Sequence, residues 1–269
     1  MSGLYPRAAW QAALCARADQ PPRRARVPLW AGEGCIGSVE PDLFHEVLPP
    51  AAIGASGLVQ AARRGGGEGW CVNGELTSTL AQLALALREA GVAHAWRDEQ
   101  LAVRDEQGRT VATVERAVTR PLGIATWAVH LAGLAPDGRH WVQQRSLTKP
   151  NDPGLWDTLM GGMIPACDSM QQALERETWE EAGLRLQQLA GLQHGGRLRM
   201  RRPSGEGRYG YVVEDIDWYR CVVPQGVVPV NQDGEVAQFR LMRADELRQA
   251  LLRDEFTVEA SLVLLCAGL

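Results

Sequence analysis

Three glutamates define the chemistry open to this chain. Glu177, Glu180 and Glu181 fall within one short run, ERETWEE, with Arg176 directly ahead of Glu177. Spacings of three and four residues place all three on one face of a helix. Carboxylates so close repel one another unless a cation or solvent compensates. Magnesium favours oxygen ligands and keeps several waters, so two or three carboxylates, a loop carbonyl and substrate phosphate oxygens would make a suitable shell. The Gly161-Gly162 pair upstream offers that carbonyl. The pattern points to a divalent-metal site for a phosphate-containing substrate. The competing reading is a solvated helix face, with Arg176 and Glu180 forming an i,i+4 pair worth about a few tenths of a kcal/mol.

A helix over 169–182 must carry these groups. Asp168 can cap it by accepting a hydrogen bond from a free N–H of the first turn, and Gln171 completes a capping-box pattern. Gly183 supplies the left-handed stop. Ahead of it, 122–134 and 139–144 read as strands joined by the turn formers Pro136, Asp137 and Gly138. A polar loop covers 146–157, and 159–164 leads back into the fold. Strands follow at 193–202, 211–223 and 236–241, the first two separated by a loop containing Gly205, Glu206 and Gly207. Helices are expected at 244–252 and 257–266. Strands and helices mixed in this order predict an α/β layer architecture.

The first 118 residues read as a separate small α+β domain, with 119–269 as a second domain. Helices are expected at 8–18, 41–48 and 77–90, the last from its regular leucines and the following Gly91. Strand-like pieces lie in 26–39. A Gly-rich turn or flexible loop spans 63–69, and a hairpin joins 100–103 to 110–114. No motif in this part carries recognisable chemistry.

At 269 residues, 45% apolar and 22% charged, the chain is able to bury a sizeable core. Its net charge of -4 gives no reason to expect a nucleic-acid partner. Lys149 is the only lysine, so arginine carries nearly all the positive charge. The six cysteines are scattered without a CxxC pair. Buried reduced thiols in a cytoplasmic protein are expected. The N-terminus lacks the order of a signal peptide. The longest apolar stretch, 260–269, is shorter than the roughly 20 residues a membrane span needs, so no membrane partner is expected.

The spacing from Gly162 to Leu184 resembles the Nudix box. That signature runs glycine, five residues, glutamate, seven residues, then Arg-Glu-aliphatic-any-Glu-Glu-any-Gly-aliphatic. Gly162, Arg176, Glu177, Glu180, Glu181, Gly183 and Leu184 match it. Asp168 replaces the first glutamate, and Thr178 replaces the aliphatic residue. Residues 127–130, 145–149, 153–157 and 231–236 resemble one Nudix subgroup with an extra N-terminal domain, related to proteins fused to thiamine pyrophosphokinase. The resemblance implies a Nudix-type α/β/α sandwich with a mixed sheet, preceded by the small α+β domain.

The resemblance also implies a Mg2+-dependent pyrophosphohydrolase, with Mn2+ as a possible substitute. Glu177, Glu180, Glu181 and the Gly162 carbonyl would bind metal. Asp168 would serve as helix cap or in the outer shell. Arg176 would orient Glu177, and Glu177 or Glu235 would act as base. Arg145 and Lys149 would meet substrate phosphate. Thiamine diphosphate or its oxidised analogues, cleaved to the monophosphate and phosphate, is the implied substrate. ADP-ribose, a nucleotide sugar or a dinucleotide is the alternative, and a non-catalytic ligand-binding module is another. A homodimer remains open. Among other groups, Arg197, Arg199 and Arg201 alternate along a strand as either a phosphate wall or a solvated edge. Trp127, Trp156, Tyr209, Tyr211 and Trp218 either stack on a cationic heteroaromatic or fill the core. His130 is expected to be structural.

Overall fold

A computed structural model describes residues 7–268 apart from His94 and Glu206. Glu206, in an expected loop, and Leu269, at the end of the apolar stretch, therefore lie outside the described residues. The chain begins with α1 (Arg7–Ala18). A four-stranded sheet follows, formed by β1 (Val27–Ala31), β2 (Gly34–Val39), β3 (Val59–Arg64) and β4 (Gly67–Val72), in the order β2-β1-β4-β3. The helices α2 (Leu43–Val47) and α3 (Leu76–Glu89) cover it. Leu80, Leu83, Ala84 and Leu87 recur at helical spacing and are all fully buried in one core with Leu29, Phe44 and Val59. The hairpin of β5 (Gln100–Arg104) and β6 (Thr110–Glu115) joins that core through Val103 and Val114.

Of the two readings of 63–69, a Gly-rich turn or a flexible loop, the structure shows the turn, set in a tight hairpin. Gly65 and Gly66, both at positive φ, make the turn between β3 and β4. Paired positive φ values match the twist of the flanking strands, and glycine adopts them without strain.

The second sheet is built around β7 (Thr126–Leu134), with β8 (His140–Arg145), β9 (Trp156–Asp157), β10 (Met160–Met163), β11 (Ala190–Pro203), β12 (Tyr211–Val222) and β13 (Val236–Met242). The main order is β11-β12-β7-β8-β13, with β10 on β7 and β9 on β8. β12 runs parallel to β7 and β10 antiparallel, so the sheet is mixed. Alternation along β7 explains its two faces. Val129 and Leu131 pack with Ala173 and Leu174 of α4 (Met170–Ala182) on one side. Ala128 and Ala132 pack with Val263 of α6 (Val258–Cys266) on the other. With α5 (Ala244–Leu252) against β13, this is a three-layer α/β/α arrangement around a mixed sheet. β7 starts later than expected, because 119–123 form turns and Gly123 has φ +54°.

The two sheets share contacts. Leu122 and Ile124 pack into the first core. Leu101 bridges Pro165, and Ala166 N–H donates to the Gln100 carbonyl at 2.7 Å. Helix α1 buries Leu14 and Ala18 against Met200, Val212 and Leu262 of the second half. The cysteines depart from expectation. All six are free thiols, but Cys15, Cys167 and Cys266 are exposed and only Cys71 and Cys221 are buried.

Helix α4 ends at Gly183, as expected, with φ +62° and its N–H on the Trp179 carbonyl at 2.8 Å. Its start is a correction. Ser169, not Asp168, is the N-cap. The Ser169 hydroxyl accepts from Gln172 N–H, while the Gln172 side chain accepts from Ser169 N–H at 2.8 Å. The capping box is shifted by one residue because the Asp168 carboxylate is taken by Arg176. Ser169→Ala is therefore expected to lower stability by about 1 kcal/mol, read as a shift in the urea midpoint, whereas Asp168→Ala leaves the cap bonds in place.

Candidate active site

Helix α4 packs against β10 beside a cavity of about 700 Å3. Its wall includes Gly161, Gly162, Arg176, Glu177, Glu180 and Glu181. Arg145, Lys149 and Glu235 line it as well, reaching it from β8, the following loop and the turn before β13. The tertiary fold thus brings Arg145, Lys149, Gly162, Arg176, Glu177, Glu180, Glu181 and Glu235 to one cavity, while Asp168 is held by Arg176 outside its lining.

Arg176 organises the helix carboxylates. Its Nε donates to Asp168 Oδ2 at 2.9 Å, and its Nη1 donates to Glu177 Oε1 at 3.0 Å and Glu180 Oε2 at 2.8 Å. Burial alone would lower its pKa, but the pull of Glu177, Asp168 and Glu180 outweighs that and raises it. Arg176 Nη2 is buried without a partner. The i,i+4 pair with Glu180 is therefore one arm of a larger network.

The three glutamates differ in environment. Glu180 is the most open, with 41% of its side chain exposed. Glu181 is almost fully buried. Its Oε2 accepts from Gln143 Nε2 at 2.7 Å and from Gly161 N–H at 3.0 Å, while Oε1 faces Lys149 at 3.5 Å. Burial still pushes its carboxyl pKa up. Glu177 lies between. Desolvation, then the charge of Glu181, pushes its pKa up to about 8. Its carboxylate rests on the Cα of Gly162, where a Cβ would collide with it. A glycine is required here by close approach, since Gly162 is in extended backbone within β10.

Glu235 receives an ion pair from Lys149. Burial works against its charge, but Lys149 holds its carboxyl below the usual range. Arg145 donates from Nε and Nη2 to the Asn151 carbonyl at 3.2 and 3.0 Å and lies 3.6 Å from Asp157. His130 is buried, with Nδ1 3.0 Å from the Thr158 hydroxyl, and it also borders the cavity. The Thr178 hydroxyl, the departure at an aliphatic position, donates to the Leu174 carbonyl at 2.6 Å. Its polarity is satisfied inside the helix.

Among the described residues, no group of three or more His, Cys, Asp or Glu side chains converges as a ready metal cluster. The helix carboxylates are turned onto Arg176 and Lys149. The donor set nevertheless suits a hard divalent cation: all oxygen, partly desolvated, with Glu177 and Glu181 disfavouring each other's charge. A cation there would take over compensation now supplied by the two basic side chains.

The aromatic residues considered for stacking are placed elsewhere. None lines the cavity. Trp127 carries Arg104 and Arg197 over its ring, and Trp218 is buried against Gly195. Arg197, Arg199 and Arg201 pair with Asp217, Asp215 and Asp19. They form an ion-paired sheet edge and do not border the cavity.

Residues that pattern reading passed over complete the walls. Gln143 anchors Glu181. Arg97, Glu99 and Arg116 enter from the N-terminal side. Glu214 and Glu259 also line the cavity. Thr126 donates to Glu214 at 3.1 Å, and burial, then the Glu259 charge, pushes Glu214 up to about 7. No local signal marks these groups, since each sits in an ordinary strand, turn or helix.

Residues 125–262, just over half the chain, match the NUDIX domain family model. The chain is 28% identical over 194 residues to Nudix hydrolase 24, chloroplastic, of Arabidopsis thaliana, covering 68% of this chain and 50% of that protein. It is 30% identical over 194 residues to Nudix hydrolase 20, chloroplastic, of the same plant, covering 67% and 48%. The chain thus spans about half the length of these curated relatives. The solved structure of DR0079 from Deinococcus radiodurans shares the fold at TM-score 0.50 and 19% identity, covering 62% of this chain and 99% of that one. No helix among the described residues is long and apolar enough to cross a membrane.

Two outcomes follow from the geometry. Gly162→Ala is expected to dislodge Glu177 and lower both thermal stability and any turnover. Glu214 binds its proton more tightly folded, at about 7, than at the ordinary 4.5. Its contribution to stability is complete below about pH 4.5 and is lost as pH rises through 7, on the order of 3 kcal/mol. Urea titrations between these limits should show Glu214→Gln with a shallower fall in stability than the parent. On the family match and the shared three-layer fold, this chain belongs to the Nudix family.

Proposed function

We propose that the chain hydrolyses a diphosphate linkage in a small molecule with a divalent cation. The observation that carries this reading is the set of Glu177, Glu180 and Glu181 on the wall of one polar cavity with Arg145 and Lys149. Glu177, Glu180, the Lys149-facing oxygen of Glu181 and the Gly162 carbonyl would hold Mg2+, or Mn2+ in its place. The cation would supply Lewis-acid polarisation of phosphoryl oxygens and lower the pKa of bound water. Arg176 orients Glu177 and Glu180 through its bridging hydrogen bonds. Lys149 and Arg145 place positive charge where substrate phosphate would lie. Glu235, kept ionised by Lys149, and Glu177 are the two candidates to take the proton of the attacking water.

For the substrate, thiamine diphosphate or its oxidised analogues is the finer reading. It is supported by the likeness of 127–130, 145–149, 153–157 and 231–236 to the thiamine-associated subgroup with an extra N-terminal domain. The acidic part of the cavity lining is compatible with it. Glu214 and Glu259, with Asp152 nearby, offer acceptors and negative charge to a cationic or amino-bearing organic end. Recognition would then rest on carboxylates, since among the described residues no Trp, Tyr or Phe ring lines the cavity.

A release assay over a panel of thiamine-type diphosphates, ADP-ribose, nucleotide sugars and dinucleotides tests both levels, with Mg2+ and Mn2+ in parallel. Thiamine monophosphate is the expected product. Good turnover of ADP-ribose with none from any thiamine-type substrate would refute the finer reading. Glu180→Gln should lower turnover at least about 100-fold, or roughly 3 kcal/mol of transition-state stabilisation, with the fold intact by circular dichroism. Undiminished Mg2+-dependent activity in that variant would refute the metal assignment. Mg2+ should also raise the melting temperature of the parent more than that of Glu180→Gln.

A further inference from the structure

The family match begins at Thr126's neighbour, residue 125, yet part of the cavity wall comes from before it. Arg97 lies in the segment between α3 and β5, and Arg116 opens the turn after β6. One buried side chain ties these two segments together. Glu115, 2% exposed, accepts through Oε1 from Arg97 N–H at 3.1 Å and from Ala117 N–H at 3.2 Å. The backbone of both arginines is thereby held on one lip of the cavity.

Their guanidinium groups are in different states. Arg116 Nη1 donates to Glu99 Oε2 at 2.6 Å, which fixes its position, and among the described residues its other side-chain N–H groups make no hydrogen bond. Among the described residues, no hydrogen bond or ion pair engages the Arg97 guanidinium. Other cations of the wall are occupied: Arg176 by three carboxylates, Lys149 by Glu181 and Glu235, Arg202 by Glu259. Arg116 also contributes to stabilising the ionised forms of Glu235 and Glu214, two carboxylates that line the same cavity.

We propose that Arg97 and Arg116 form a phosphate-binding lip through which the N-terminal segment completes the substrate site. It would receive phosphate oxygens that the helix carboxylates, being negative, cannot bind directly. A guanidinium presents paired N–H donors that match phosphate oxygens, which a lysine does not. Glu99 and Glu115 are positioning residues for this lip. The inference rests on the diphosphate reading above and gives the N-terminal segment a part in substrate recognition.

The test separates binding from turnover. The full chain is titrated calorimetrically with inorganic pyrophosphate in excess EDTA, and again with Mg2+. Arg97→Ala and Arg116→Ala are each expected to weaken binding about 10-fold or more in both conditions. Arg116→Lys, which keeps the charge but loses the fork, should fall between. Arg139→Ala, outside the cavity, serves as the charge control. In steady state the lip variants should raise KM with little change in kcat. Arg97 is exposed, so Arg97→Ala keeps the test open if an Arg116 variant fails to fold. Pyrophosphate affinity equal to the parent in Arg97→Ala, or no uptake by the parent in either condition, would overturn the lip. Loss of the effect of Glu180→Gln on turnover would instead strike the metal reading, so the two failures are distinguishable.

Discussion

A single guanidinium holds the candidate site in its present form. Arg176 reaches Asp168 at the head of α4 and Glu177 and Glu180 along the helix. Without it three carboxylates would repel within two helical turns. Its bonds also set where the helix begins. Asp168 is drawn away from the free N–H groups of the first turn, and Ser169 caps them instead. The same contact therefore joins helix stability to the alignment of the residues that would meet a cation.

A second constraint is steric and comes from the sheet. β10 lies antiparallel to β7 and presents Gly161 and Gly162 towards α4. Gly161 N–H donates to Glu181, and Gly162 leaves room for the Glu177 carboxylate. A side chain at Gly162 would displace the Glu177 carboxylate, and one at Gly161 would collide with the His130 ring. The hydrophobic packing of Ala173 and Leu174 on Val129 and Leu131 brings α4 close enough for these contacts. Glu181 is the consequence of that closeness: it is buried, hydrogen-bonded to strand and side chain, and left with one oxygen towards Lys149.

Much of the helix itself was legible in the sequence. Periodicity and Gly183 located its span to within a residue, and the spacing of the glutamates located their common face. The exchange of Asp168 for Ser169 at the cap was not legible, because two adjacent residues can each cap and only the position of Arg176 decides between them. Pattern reading treated the first part of the chain as bearing no chemistry. Yet Arg97 and Arg116 stand in the cavity wall, brought there by Glu115 and the packing of the β5–β6 hairpin beside Pro165. For the aromatic residues the sequence left two readings open, because indole and phenol rings are as useful to a core as to a ligand, and the structure leaves Trp127, Trp156, Tyr209, Tyr211 and Trp218 outside the cavity lining.

The sequence by itself determined the family, the acidic helix with its glycine stop, and the alternation that buries β7 on both faces. These depend on spacing along the chain, and hydrogen-bond geometry converts spacing directly into a helix or strand face. Only the tertiary structure decided which charges meet. Lys149 is paired with Glu181 and Glu235 across separations of 32 and 86 residues, and Arg116 is paired with Glu99 across 17. Coulomb energy depends on distance and burial in space, neither of which is written in the local order of residues.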